Sequence, residues 1–405
     1  MCQRDRMGQA WRRWAGLLAA ALVLLAGCAS PPPAPPAGLL DDALFGHPPR
    51  PVDADAALAV DPAMRAHLRR LRAQSPGDAG RPRLLAEALR RAGDLQLEYD
   101  GGPTRTAAQA FAARSGNCLS LVLMSAALAR ELGLTVTYQR AHVDPAYRQA
   151  DGFTLRSGHV NLLLGPRPPR WNLRSAGLDG DPDRLLVDFQ PPEDLRGLRS
   201  EPITEATLLA LFANNRAAEA LQHGAAALAY AWTREALRHD PGLGAAYNTL
   251  GVVYRQAGHA AAAAAAFRAL LAREPDNPTA MWNLARLLQA RGSAADLAEA
   301  ADWDARRRRL EPVAPFAQLE AGRAALARGD VAAARALFAA ELALTGPTAG
   351  LHLLLAQAQH RLGEAALARQ SMQQAIALSD DPAQRTRYAA KLAWLRAQSG
   401  AETAH

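Results

Sequence analysis

Cys118 stands where a polar turn, Ser115-Gly116-Asn117, gives way to the apolar run Leu119-Ser120-Leu121-Val122-Leu123. Hydrophobic spacing from there to Gly133 is that of a helix, so the thiol occupies a first helical turn. Backbone N–H groups at a helix start lack intrahelical acceptors, and the helix dipole adds to their positive field. Both favour a thiolate, the form that attacks a carbonyl carbon. The same N–H groups can hold the oxyanion that such an attack creates. A thiol nucleophile also needs a base, and two histidines, His142 and His159, follow before the chain becomes repetitive. In the stretch Gly158 to Gly165, alternation puts Val160, Leu162 and Leu164 on one strand face and His159, Asn161 and Leu163 on the other. His159 is therefore the candidate base. His142, beside Val143-Asp144-Pro145, reads as a surface histidine. A third group must orient the imidazole. Asp188, a lone carboxylate in an apolar stretch, is costly to bury unless paired and is the candidate; Asn161 and Asn172 are weaker rivals. Gln109 and Asn117 are weak candidates for oxyanion donors. The competing reading of Cys118 is a buried, inert cysteine.

The elements that must position these groups fall into two kinds. Helix-period segments come first: Leu58 to Gln74, Arg83 to Leu97, a short helix capped by Thr106, and the helix that starts near Cys118. Period-two segments follow, at Thr135 to Val143, Gly158 to Gly165 and Arg184 to Gln190, with polar stretches at Asp144 to Ser157 and Pro166 to Asp183 that read as loops. Residues 42–200 are thus expected to form an α+β domain with a small antiparallel sheet.

From about Thr204 the chain is helical and periodic. Gly224, Gly258 and Gly292 are 34 residues apart, Gly329 follows after 37, and Gly363 after 34. Pro241, Pro275, Pro312, Pro347 and Pro382 punctuate the same period. In the clearest unit, Tyr247, Leu250, Gly251, Tyr254, Gly258, Ala263, Phe267 and Pro275 resemble the tetratricopeptide repeat (TPR) family. That resemblance implies about five helix pairs over 204–381, stacked as an all-α TPR superhelix and closed by a capping helix in 382–405. It implies a protein or peptide partner in the groove. The stretch Ala294 to Arg309 departs from the pattern by three residues. Its run Arg306 to Arg309 reads as a solvated face.

The N-terminus begins basic, continues with the apolar run Leu17 to Leu25 and ends in Leu25-Ala26-Gly27-Cys28. This is a secretory signal pattern. Its end resembles the lipobox of bacterial lipoproteins, which implies a signal peptide over 1–27 and a lipidated Cys28 in the cell envelope. Ala29 at the next position implies the outer membrane, facing the periplasm. Residues 28–41, rich in proline, read as an extended lipidated tether. Cys2 would leave with the leader, so Cys118 has no intramolecular partner to oxidise with.

The 405 residues are 49% hydrophobic and 5% aromatic, so the cores must be aliphatic. The formal charge of +7 comes from arginines scattered among acids, which argues against nucleic-acid binding. No cofactor is expected, since histidines with carboxylates at ligand spacing and phosphate-binding glycine loops are both missing.

Taken together, "TAAQAFAARSGNCLSLVLMSAALARELGL", "GHVNLLL" and "LLVDF" resemble the transglutaminase-like, papain-related superfamily. Its Cys–His–Asp order implies Cys118 as nucleophile, His159 as base and acid, and Asp188 as orienting residue. The activity implied is hydrolysis or acyl transfer at an amide bond of a protein or peptide. A peptidoglycan substrate fits the compartment, though no wall-binding motif is visible. The alternative is a non-catalytic TPR scaffold carrying a degenerate domain.

Overall fold

The computed structural model describes residues 34–46, 51–74, 81–90, 95–150, 153–165, 184–189, 199–311, 316–379 and 382–402. The leader 1–27, Cys28, Asn172 and the side chain of His142 lie outside the described residues.

The first part of the chain contributes α1 (Pro62–Gln74), α2 (Arg81–Arg90), β1 (Glu98–Tyr99), α3 (Ala107–Ala113), β2 (Ser115–Gly116) and α4 (Cys118–Glu131). It continues with β3 (Thr135–Ala150), β4 (Phe153–Gly165), β5 (Leu185–Val187) and β6 (Ser200–Ile203). Helix α4 is the centre of this part. Every residue from Leu119 to Ala129 is buried, and a helix apolar all round must be covered all round. The cover is an antiparallel sheet of order β5-β4-β3-β6, together with α1, α2 and α3.

The segment Asp144 to Ser157 is not the loop its composition suggests. Strand β3 runs on to Ala150 and pairs with β4 from Phe153, with a register shift between Ala141 and Ala146. Backbone pairing needs no apolar face, so a polar ribbon can extend beyond the buried part of a hairpin. A second small sheet pairs β1 with β2 in parallel. It lays residues 100–106 beside the start of α4. A Cβ at Gly116 would lie 2.7 Å from the Ser120 Cβ, so only glycine lets β2 run that close to the first turn.

The second part is a TPR-like array of five antiparallel helix pairs. The pairs are α5 (Glu205–Gln222) with α6 (Ala226–His239), α7 (Gly244–Gln256) with α8 (Ala260–Arg273), and α9 (Pro278–Arg291) with α10 (Ala294–Leu310). They continue with α11 (Ala317–Ala327) and α12 (Val331–Thr345), then α13 (Ala349–Arg361) and α14 (Ala365–Ala377), and α15 (Pro382–Glu402) closes the array. The periodic glycines 224, 258, 292, 329 and 363 all have φ between 72° and 86°. Each ends the first helix of a pair in the left-handed conformation that glycine tolerates best. The three extra residues in the third pair lengthen α10 to 17 residues, against 14 in α8.

The arginine run in α10 is not a uniformly solvated face. Arg307 is buried, bonds Asp304 and the Glu311 carbonyl, and lies 5.4 Å from the Trp282 ring. The run places one arginine on the inward stripe of the helix, where a carboxylate and an indole accept it.

Residues 34–41 are not a free tether. Residues 34–46 and 51–58 form a strap on the repeats. The Tyr254 hydroxyl donates to the Leu39 carbonyl at 2.8 Å and accepts from the Asp41 N–H at 3.0 Å. Tyr230 donates to Asp42 at 2.8 Å, and the Phe45 ring stacks on Tyr230 with centroids 4.3 Å apart. Proline limits helix formation but does not prevent docking of an extended chain. One continuous apolar core therefore runs from Leu39 through the α+β elements to Ala300. The helices from Ala317 onward belong to two separate clusters.

Candidate active site

Cys118 is the first residue of α4, and Asn117 is its N-cap. The Asn117 Oδ1 accepts from the Ser120 N–H at 3.0 Å and from the Ser120 hydroxyl at 2.8 Å. The Asn117 carbonyl takes the Leu121 N–H at 3.0 Å. That leaves the N–H groups of Cys118 and Leu119 without an intrahelical acceptor, as at any helix start. Cys118 is only half-buried, whereas the eleven residues that follow it are buried. The thiol is thus the open N-terminal end of a helix whose middle is sealed.

Strand β4 crosses α4 and carries His159 and Asn161. The sequence alternation is correct in that Val160, Leu162 and Leu164 face the core. His159 and Asn161 are nonetheless buried too, at 3% and 1% exposure, because the opposite face is also covered at this end. Asp188 follows directly after β5, which pairs with β4 through Leu162 and Val187. That pairing brings the carboxylate alongside the imidazole: His159 Nε2 lies 2.8 Å from Asp188 Oδ1. Asn161 does not compete for the histidine. Its side-chain N–H donates to Asp188 Oδ2 at 2.9 Å and so fixes the carboxylate from the other oxygen.

With Nε2 taken by Asp188, Nδ1 is the nitrogen available to the thiol, and the Cys118 side chain lies close enough to act on the imidazole. Burial alone would pull the histidine pKa down. The hydrogen bonds and negative charges of Asp188 and Cys118 outweigh it and hold the pKa up at about 9. An imidazolium between a carboxylate and a sulfur is the favoured form at neutral pH.

The two proposed oxyanion side chains are engaged elsewhere. Gln109 is exposed and turned back along α3 in a capping box: its Oε1 accepts from the Thr106 N–H at 3.0 Å. Asn117 uses both ends of its amide, since Nδ2 donates to Thr104 Oγ1 at 2.9 Å. The groups placed to meet an oxyanion are the backbone N–H groups of Cys118 and Leu119.

Sequence reading missed the residues that hold the first turn in place. Thr104, Arg105 and Ser120 carry no chemical signature of their own. The Arg105 N–H donates to Ser120 Oγ at 2.8 Å, and the Arg105 side chain pairs with Asp100 at 2.7 Å. The doublet Gly101-Gly102 before Pro103, readable only as a breaker, was the available hint.

Comparisons with known proteins bear on the repeats. A family model described as the Est1 DNA/RNA binding domain matches residues 232–309, from α6 to α10. A crystal structure of a thermophilic TPR protein of Thermus thermophilus aligns at 21% identity over 45% of this chain and 98% of the other, with a TM-score of 0.33. PilF of Pseudomonas aeruginosa aligns at 20% identity over 46% of this chain and 84% of its own, with a TM-score of 0.31. The curated proteins give no match.

Two other features bear on ligand chemistry. Among the described residues, Asp55, Glu235 and His239 bring ligand atoms within 4.8 Å of one another. Arg238 donates to all three, at 3.2, 2.7 and 2.8 Å, so a guanidinium already fills the cationic position. A cavity of about 420 Å³ lies between the strap and α6, lined by Phe45, Tyr230 and Arg234 among others. Neither Cys118 nor His159 lines it. No helix among the described residues is long and apolar enough to cross a membrane.

Proposed function

We propose that this protein is a thiol acyl-transfer enzyme acting on an amide bond of a protein or peptide, by hydrolysis or by transfer to an amine. One observation carries the reading: a buried His159 bonds Asp188 and has Cys118 near enough to act on its ring, while the sulfur sits at the half-open first turn of α4. His159 holds the thiol proton, and the sulfur attacks the carbonyl carbon. A C–S bond forms, and the oxyanion meets the N–H groups at the helix start. The C–N bond then breaks as the imidazolium returns a proton to the departing amine. Water or a second amine releases the thioester and regenerates the thiol. Asp188 keeps the ring oriented throughout.

The helix array supplies protein-binding surface. Strand β4 packs against α7 and α9, so the chain's own hairpin covers part of the early repeats. The later pairs carry exposed Leu344, Leu362 and Leu367, and the closing α15 carries exposed Trp394, which suit a protein partner. Lipidation at Cys28 would place the protein in the bacterial envelope, at the outer membrane facing the periplasm. The stretch from Cys28 to the start of the strap at Ala34 then has a reach of about 20 Å.

The test is labelling by an electrophilic acyl probe. Cys118→Ala is expected to abolish labelling with an unchanged circular dichroism spectrum. Labelling that survives would refute the assignment. The scaffold reading wins if a Cys118→Ala protein rescues a deletion strain fully.

A further inference from the structure

One hydrogen-bonded path from the repeat array to the first turn of α4 runs through the buried Thr104. All three of its polar groups are used. Its N–H donates to Glu219 Oε1 at 2.6 Å, and its carbonyl accepts from Arg216 Nη1 at 3.4 Å. Its hydroxyl accepts from the Asn117 amide at 2.9 Å. Glu219 and Arg216 lie on α5, the first repeat helix, and pair with each other at 2.9 Å through Glu219 Oε2. Each Glu219 oxygen therefore has its own partner, one on the repeat and one beside the site.

Asn117 stands between Thr104 and the helix that carries the sulfur. Its Oδ1 holds the Ser120 N–H, which is the cap of α4. If Thr104 shifts, the Asn117 amide loses its partner and rotates, and the cap goes with it. The N–H groups of the first turn then no longer point together at Cys118. We infer that Glu219 and Arg216 are positioning residues for the Cys118 thiol, acting through Thr104 and Asn117. The inference rests on Cys118 being the reactive group of the site. It makes the first repeat helix a working part of the thiol site and gives the array a route for changing thiol reactivity.

The test is the alkylation rate of Cys118 by iodoacetamide in the full chain. Glu219→Ala and the near-isosteric Thr104→Val are expected to slow alkylation about five- to tenfold at about pH 7. Glu219→Gln keeps an acceptor for the Thr104 N–H and is expected to stay within about twofold of wild type. Glu205→Ala is the control. It removes a second tie of α5, the bonds to Arg130 at the far end of α4 and to Tyr138 on β3, and is expected to leave the rate unchanged. Wild-type rates in Glu219→Ala and Thr104→Val, or equal slowing in Glu205→Ala, would overturn the inference. Alkylation requires only an ionised thiol, so absence of acyl-probe labelling in the wild type defeats the proposed activity while this series still decides the relay.

Discussion

At the scale of single residues, His159 makes the sharpest demand on experiment. Its ordinary pKa of 6.5 is raised to about 9 in the folded chain. A raised folded value means that the imidazolium stabilises the fold fully below about pH 6.5 and that this contribution is lost as pH rises through about 9. The loss amounts to about 2–3 kcal/mol. Chemical denaturation of wild type and His159→Ala between these limits checks it: the wild type should lose stability with rising pH, and the variant should lose much less. Cleavage of an amide substrate should fall over the same alkaline range, because the imidazolium that returns a proton to the leaving amine disappears. Asp188→Asn keeps an acceptor but removes the charge, so it should move that alkaline limb to lower pH. The grouping of Cys118, His159 and Asp188 was legible because each breaks a local pattern: a thiol at a helix start, a histidine on a strand face, a carboxylate in an apolar run. Thr104, Ser120 and Glu219 were not, because a threonine, a serine and a helix glutamate are ordinary residues until the fold aims them. The Asn117 side chain, a weak oxyanion candidate by position, is by its geometry the cap of α4.

At the scale of elements, the helix pairs rest on a volume match across each pair. A Cβ at Gly251 would lie 2.4 Å from the Phe267 ring, and one at Gly322 would lie 2.5 Å from the Phe338 ring. Each phenylalanine follows its glycine by 16 residues. In two other pairs the buried residues at this spacing are an alanine and something smaller or more pliable than phenylalanine: Ala217 with Thr233, and Ala356 with Met372. Gly251→Ala should therefore cost about 1–3 kcal/mol by overpacking, despite alanine's better helix propensity. Gly251→Ala combined with Phe267→Leu should recover part of it, which a double-mutant unfolding cycle measures. Glu341 gives a second case. It is fully buried in α12, and its carboxylate accepts the N–H groups of Phe316, Gln318 and Leu319 at 2.8, 3.0 and 3.2 Å. It caps α11 from the partner helix, at a point where Phe316 holds a φ of 64°. Glu341→Ala leaves three donors unpaired and should cost about 3 kcal/mol or more, seen by hydrogen exchange first in α11 and α12. The helices were legible because glycine, proline and a 34-residue period mark their ends. The ribbon beyond Val143 and the short strand β6 were not, since backbone pairing leaves little trace in residue type. Nor was the docking of the strap, because its proline-rich composition speaks only of what it cannot form.

At the scale of the whole molecule, the change from α+β to helical repeat near residue 204 is a change of secondary structure without a break in packing. Leu162 and Leu164 of the sheet share one core with Leu208, Tyr247 and Leu288 of the repeats. Polar ties cross the same line: Tyr138 to Glu205, Thr104 to Glu219, and the strap's Asp42 to Tyr230 and Arg234. A chain ending at residue 203 would expose the apolar face that α5, α7 and α9 cover and leave Asp42 and the buried Thr104 N–H without partners. Such a fragment should behave as an expanded state with weak near-ultraviolet circular dichroism and a shallow urea transition. A chain ending at Glu311 removes no member of the first core, whose last buried residue is Ala300. It should unfold cooperatively, and Cys118 should alkylate at the full-length rate. The full chain should then show two transitions, the one belonging to residues 316–402 being the one that Glu341→Ala shifts. Urea titration of the three chains decides the matter. A 203-residue chain with a native, steep transition would mean that the repeats only lean on the α+β part, and the polar ties across the boundary would then be ornaments of an interface rather than supports of the thiol site.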